Sequence, residues 1–171
     1  MDPAAGSVGG LSRRRLNALG FLICALALGY AYYAQYGQGI APCPLCILQR
    51  LALLAVGLAL LAAAVHNPRD TGAKVYGVLI DLAATVGMAI AARHVWLQQL
   101  PPDQAPRCGP TLEYMLRTFP LGETLREVLT GSGECAKVDW ALLGISMPVW
   151  NLLLFISLGT IGLLGNWRLR R

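Results

Sequence analysis

Cysteines carry the chemistry that this sequence offers, and four of its five cysteines fall into two pairs. Cys43 and Cys46 form a Cys-x-x-Cys motif, whereas Cys108 and Cys135 are widely spaced in a later segment. Cysteine thiols exchange with disulfides when they are in the thiolate form. The fifth, Cys24, stands inside an apolar run, where a free cysteine usually behaves as a small hydrophobic residue. The sequence therefore predicts two redox-capable pairs and one inert thiol.

Pro44 predicts that the Cys-x-x-Cys motif begins a helix. Proline suits the first helical turn, because its missing N–H would have no partner there. A thiol at this position lies near unpaired backbone N–H groups and the positive end of the helix, which lower its pKa and favour the thiolate. The motif thus indicates a thiol that can attack disulfides or donate electrons.

Four apolar segments must position these cysteines. The 171 residues are 56% hydrophobic and 13% charged, against roughly 25% charged in an average soluble domain. A helix of about 20 apolar residues crosses the hydrocarbon core of a bilayer. Segments of that length cover residues 16–36, 44–65, 75–96 and 142–164. We therefore predict an all-α membrane protein, in which residues 1–171 form a single domain built on a bundle of four transmembrane helices.

The distribution of the net charge of +5 predicts the topology. Basic residues cluster before the first span, between the second and third spans, and after the fourth: Arg13, Arg14, Arg15, Arg69, Lys74, Arg168, Arg170 and Arg171. The positive-inside rule therefore predicts that both termini are cytoplasmic and that the outer loops are residues 37–43 and 97–141. A cleaved signal peptide is the alternative for the N-terminus, although the apolar run is longer than a usual signal core.

This topology places both cysteine pairs on the extracytoplasmic, oxidising face, where Cys43–Cys46 and Cys108–Cys135 can each form a disulfide. Two alternatives remain open. The four sulfurs could bind zinc, although a zinc ribbon usually supplies its second pair as another Cys-x-x-Cys. The two pairs could also be purely structural disulfides in a membrane scaffold.

Arg50 lies on the same helical stripe as Cys43 and Cys46. It is roughly 9 Å deeper along the helix axis than Pro44. An arginine at mid-membrane costs about 2.5–3.5 kcal/mol on insertion scales, and less near the edge. Arg50 therefore either extends toward the outer interface or binds a polar, electron-accepting head group beside Cys46.

The outer loop of residues 97–141 changes to proline, glycine and charged residues. Its central part has apolar residues at helical spacing, interrupted by Pro120, which predicts one or two short amphipathic helical segments on the membrane surface. A flexible connector, residues 131–134, precedes Cys135. His94 near the outer end of the third span and Trp140 can both be interfacial residues.

These residues together resemble the bacterial disulfide-bond formation protein B (DsbB) family. The resemblance extends from the first helix to the fourth. It rests on the motif Cys43-Pro44-Leu45-Cys46 with Arg50, on the spaced pair Cys108 and Cys135, and on two sequences, Gly131-Ser132-Gly133-Glu134-Cys135 and Trp140 with Gly144-Ile145-Ser146-Met147-Pro148-Val149-Trp150.

The resemblance implies a protein-disulfide oxidoreductase in the inner membrane, with bound ubiquinone or menaquinone and a soluble, periplasmic DsbA-like thiol oxidase as partner. Cys108 would form the mixed disulfide with this partner, and Cys135 would attack Cys43. Cys46 would then be released as the thiolate beside the quinone, with Arg50 holding the quinone head. No metal and no nucleic-acid partner is expected.

The resemblance also places His94 and Trp140 next to the quinone, so both are candidate cofactor-binding residues. Gln49 stands where some members of the family have an acidic residue. A second enzyme class, the vitamin-K-reductase-like quinone reductases, shares a Cys-x-x-Cys at a helix end, but its loop cysteines precede that motif in the chain. Here they follow it.

Overall fold

The computed structural model describes residues 12–101, 103–104, 106, 109, 112–138 and 140–168. The helices and strands occur in the order α1 (Arg13–Gly37), α2 (Pro44–His66), α3 (Asp70–Gln98), α4 (Leu112–Thr118), α5 (Leu121–Thr130), α6 (Gly133–Ala136), β1 (Ala141–Leu142), β2 (Ile145–Ser146) and α7 (Met147–Arg168).

Four of these helices, α1, α2, α3 and α7, are long and apolar enough to cross a membrane. They pack in the order α1, α2, α3, α7 around a bundle, and α7 returns to contact α1. Large apolar side chains such as Leu26 and Leu58 point away from the bundle and are more than half exposed. A helix with apolar side chains on its outer face suits a hydrocarbon solvent, since its backbone groups are satisfied internally. The predicted all-α, four-helix membrane fold is confirmed.

Close contact between α3 and α7 forms the centre of the bundle. Gly87 on α3 lies directly against the ring of Phe155 on α7, and a Cβ atom at Gly87 would overlap that ring. Phe155 is 1% exposed and belongs to the main apolar cluster with Ile80 and Ala84. Small residues let helix backbones approach closely in a membrane, where packing replaces the hydrophobic effect between helices.

Buried amides fix the end of the bundle opposite the Cys43–Cys46 motif. Asn17 on α1 and Asn166 on α7 exchange two side-chain hydrogen bonds of 3.1 and 3.0 Å. The Arg13 guanidinium donates to the carbonyl oxygen of Pro68 in the α2–α3 connection. Paired polar side chains inside an apolar bundle favour one axial alignment of the helices, because any shift would leave amides unpaired.

The fourth helix begins later than hydropathy predicts. Residues 141–146 form a two-stranded hairpin, in which Ala141 pairs with Ser146 and Leu142 with Ile145. Leu143 and Gly144 both have positive φ, as a two-residue hairpin turn requires. The hairpin is as apolar as the helix that follows, so a hydropathy window cannot separate the two.

The segment between α3 and α7, predicted as the second outer loop, contains the expected amphipathic helices. Pro120 separates α4 from α5 and occupies the N-cap position of α5. Thr124 and Val128 on α5 are buried, whereas Leu121 and Leu125 are exposed. The next helix, α6, has four residues and contains Cys135.

Candidate thiol site and adjoining cavity

The Cys-x-x-Cys motif begins α2, as its proline predicts. Cys43 is the N-cap residue, and its sulfur accepts a hydrogen bond from the Cys46 backbone N–H at 3.4 Å. The two Sγ atoms are 3.2 Å apart and both thiols are unlinked. The residues are therefore placed for exchange, while the Cys43–Cys46 disulfide stays a prediction.

Cys135, in the segment between α3 and α7, lies against Cys43. It is fully buried in a second apolar cluster, together with Cys43, Leu45 and Leu97. Its sulfur is within hydrogen-bonding contact of the Cys43 thiol. Cys108 lies outside the described residues, so the Cys108–Cys135 disulfide is also still a prediction. The structure shows a direct thiol contact between the segment joining α3 to α7 and the Cys-x-x-Cys motif.

Contacts from α3 hold this loop in place. Arg93 donates to the carbonyl oxygens of Leu129 at 3.2 Å and Thr130 at 2.8 Å, and its guanidinium lies 4.3 Å from the ring centroid of Trp96. Gly131 follows with φ +89°, and a Cβ atom there would overlap Leu97. Arg93 thus binds the carboxyl end of α5 just before Cys135. Arg93 could not be identified from the sequence, because its partners are backbone atoms of a distant segment.

His94 lies beside the motif. Its Nε2 atom is 3.8 Å from the Cys43 sulfur, and the ring also contacts the Cys46 thiol. One ligand atom from each of these three residues lies within 4.8 Å of the others, a spacing that could accommodate a metal ion. The four-sulfur zinc site is untested, since it requires Cys108.

Gln49 and Asn151 connect His94 to the fourth long helix. Gln49 Nε2 lies 3.0 Å from His94 Nδ1, and Asn151 Nδ2 donates to Gln49 Oε1 at 2.7 Å. Gln49 and His94 are each 2% exposed. The sequence indicated His94 as a candidate but assigned no role to Asn151. For Gln49 it indicated only that glutamine replaces the acidic residue of some members of the family it resembles.

Arg50 faces α1 and the space beside the motif. Its guanidinium donates to Gln35 Oε1 and, at 3.0 Å, to the carbonyl oxygen of Ala31. It also lies 5.3 Å from the ring centroid of Tyr32. The charge therefore has polar and aromatic partners inside the protein. Gln35 was not identified from the sequence.

A cavity joins these groups. It encloses about 880 Å³, including space open to the outside, and is bordered by Cys43, Cys46, Arg50, His94 and Trp140. The Trp140 ring packs edge-on against Tyr30, with centroids 5.9 Å apart. Alanines and leucines of α1 and α2 complete the wall: Ala27, Leu28, Ala31, Ala34 and Leu53. Of the six candidate site residues that the structure describes, all except Cys135 border this cavity.

The contact between the Cys43 and Cys135 thiols shifts their pKa values in opposite directions. The Cys43 thiol donates to the Cys135 sulfur, which raises the pKa of Cys43; its contact with Cys46 and its burial act in the same direction. The same hydrogen bond lowers the pKa of Cys135 to about 6, against the opposing effect of burial. The lowered pKa of Cys135 favours its thiolate, which is the form that attacks a disulfide.

In the reduced protein, Cys135 is expected to lose its proton with a midpoint near pH 6, because the Cys43 thiol stabilises the anion. The ¹³Cβ shift of labelled Cys135, followed against pH, measures this midpoint. Cys43→Ala removes the donor and should raise the midpoint toward that of an ordinary thiol, while Cys24→Ala should leave it unchanged. An unchanged midpoint in Cys43→Ala would contradict the assigned donor.

Comparison with known proteins places these features in one family. Residues 13–165 match the family model described as disulfide bond formation protein DsbB. The chain is 51% identical over 160 residues to the disulfide bond formation protein B of Methylococcus capsulatus, covering 94% of this chain and 98% of that protein. It is 51% identical over 161 residues to the protein of that name from Nitrosococcus oceani, covering 94% of each. With a match over nearly its whole length, the chain belongs to the DsbB family of disulfide bond formation proteins.

Proposed function

We propose that this protein is a quinone-dependent protein thiol oxidase, which reoxidises a periplasmic DsbA-like dithiol protein and passes the electrons to ubiquinone or menaquinone. The observation that carries the proposal is the cavity, because it brings the Cys-x-x-Cys pair, the partly buried cation of Arg50 and two ring side chains to one space beside an apolar wall. Family membership supports a general role in disulfide formation.

The cavity suits a quinone head group in its chemistry. A quinone has two carbonyl oxygens that accept hydrogen bonds, and Arg50, which borders the space together with His94 and Trp140, supplies N–H donors. The alanines and leucines of the wall suit an apolar ring and tail. When bound, a quinone accepts two electrons and two protons to become the hydroquinone. The planar guanidinium of Arg50 can donate a hydrogen bond to a carbonyl oxygen while other N–H groups of the guanidinium remain hydrogen-bonded to α1.

The thiols form a relay in which each bond formed releases one thiolate. A partner thiolate attacks Cys108 of the Cys108–Cys135 disulfide and releases Cys135. Cys135 attacks Cys43 of the Cys43–Cys46 disulfide and releases Cys46 into the cavity. The partner's second thiol then displaces Cys108, so the partner leaves oxidised. Cys108 attacks Cys135 of the Cys43–Cys135 disulfide and releases Cys43, which restores the Cys108–Cys135 disulfide. The reduced Cys43–Cys46 pair can then give two electrons to the acceptor and return to its disulfide. The contact between Cys135 and Cys43 and the acidity of Cys135 support the middle step.

This relay requires the cysteine pairs to face the oxidising compartment. The basic residues favour that orientation, with both termini in the cytoplasm and both pairs in the periplasm. The Asn17–Asn166 end of the bundle, where Arg13 and Arg69 lie, would then face the cytoplasm.

The function is tested by mixing the purified protein in detergent with a reduced DsbA-like partner and short-chain ubiquinone or menaquinone analogues. We expect one quinone to be consumed for each partner disulfide formed. A membrane scaffold with purely structural disulfides would leave both the quinone and the partner unchanged, which would overturn the proposal.

A further inference from the structure

Three side chains from three helices form a continuous hydrogen-bonded chain that ends at the thiols. Asn151 on α7 bonds to Gln49 on α2 at 2.7 Å, and Gln49 bonds to His94 on α3 at 3.0 Å. The His94 ring then faces Cys43, with its Nε2 atom 3.8 Å from the sulfur. Gln49 and His94 are almost fully buried, so water competes little for these bonds.

The Asn151 amide sets the donor-to-acceptor direction of these hydrogen bonds. An amide nitrogen only donates hydrogen bonds and an amide oxygen only accepts them. The Asn151 amide nitrogen donates to Gln49 Oε1, so the Gln49 amide nitrogen is the group that faces His94 Nδ1. A donor facing Nδ1 requires that this atom carry no proton. The neutral ring must then carry its proton on Nε2.

We propose that Asn151 and Gln49 are positioning residues that hold His94 in the Nε2–H tautomer and aim that N–H at the Cys43 and Cys46 sulfurs. This inference deepens the proposed function, on which its catalytic meaning rests. An N–H donor beside the motif stabilises the thiolate that is released when Cys43 bonds to another sulfur. The opposite tautomer would present a lone pair to that anion and repel it.

A substitution at Asn151 can reverse the donor-to-acceptor direction of these hydrogen bonds. In Asn151→Asp, the new carboxylate only accepts, so Gln49 must turn its amide and present its oxygen to His94 Nδ1. The ring proton then moves to Nδ1. In Asn151→Leu, the end of the chain has no polar partner, so Gln49 can adopt either orientation and both tautomers should be populated.

The two ring nitrogens of His94 give a direct readout, since protonated and unprotonated nitrogens have well-separated ¹⁵N shifts. The sequence contains two histidines, so His66→Gln leaves His94 as the single labelled ring. In reduced protein without quinone or partner, we expect Nε2–H in the parent, Nδ1–H in Asn151→Asp and a mixture in Asn151→Leu. Asn166→Leu is the matched control: it removes a buried amide from the same helix at the other end of the bundle, and should leave the tautomer unchanged.

Turnover with the reduced partner and short-chain ubiquinone should fall about tenfold in Asn151→Asp, the usual effect of losing one charge-assisted hydrogen bond. An Nδ1–H parent ring, or an unchanged Nε2–H ring in both Asn151 variants, would overturn the inference. The tautomer is measured without quinone or partner, so its result does not depend on the proposed oxidase activity. Failure of that activity would appear only in the turnover assay.

Discussion

Replacing Arg50 with Met is expected to lower quinone-dependent turnover by about ten- to a hundredfold, the range that follows from losing one hydrogen bond to a charged group. The cavity would lose the partly buried cation of Arg50, and with it the group that would favour negative charge on the proposed acceptor. The measurement is the initial rate of partner oxidation as the concentration of a short-chain ubiquinone is varied.

Two variants separate the charge of Arg50 from its contacts. Arg50→Lys keeps a cation but loses the planar fork, so it should raise the KM for quinone and retain part of kcat. Gln35→Leu removes a neutral partner of the guanidinium and leaves the charge in place, so its turnover should stay close to that of the parent. Quinone kinetics in Arg50→Met that match those of the parent would mean that the quinone binds elsewhere.

The same substitution should have a small effect on folding. Met removes a charge that is costly in a membrane, but it also breaks the hydrogen bonds from Arg50 to Gln35 and to the Ala31 carbonyl. These changes oppose each other, so the thermal unfolding midpoint should move by only a few degrees. A large fall in that midpoint would assign the lost activity to unfolding, and Gln35→Leu, which breaks one of the same bonds, provides the comparison.

Cys135→Ala is expected to abolish oxidation of the protein partner, with turnover falling by at least about a thousandfold, because in the proposed relay Cys135 carries the electrons from Cys108 to Cys43. A small dithiol can reduce the Cys43–Cys46 pair directly, since both residues border the cavity. Quinone consumption driven by a small dithiol should therefore persist in this variant. The two assays, run on the same preparation, measure the two halves of the relay.

Cys24→Ala is the matched control for the loss of a buried thiol. Cys24 packs against Gly57 within the bundle and is 1% exposed, so both reactions should proceed at the parent rate. Partner oxidation at that rate in Cys135→Ala would contradict the relay. Loss of the reaction driven by the small dithiol would instead show that Cys135 acts on the cavity itself.

Local sequence determined the parts of this protein that depend on short-range chemistry. Helix α2 begins at Pro44 because proline fits a first turn, and Cys43 becomes its N-cap. The four spans follow from runs of apolar residues long enough to cross a bilayer. Arg50 could be placed on the cysteine stripe because a helix repeats its faces at fixed spacing. Pro120 likewise divided the outer-loop helices.

Only the tertiary structure showed which distant side chains meet. Gln49 and His94 are 45 residues apart and Gln49 and Asn151 are 102 apart, so no local pattern connects them. The rotation of each helix about its own axis selects these contacts, and that rotation depends on packing such as Gly87 against Phe155. The contact of Cys135 with Cys43 similarly depends on Arg93 and on the positive φ of Gly131. Hydropathy records how apolar a helix is, whereas the direction in which each polar side chain points is fixed only when the helices pack together.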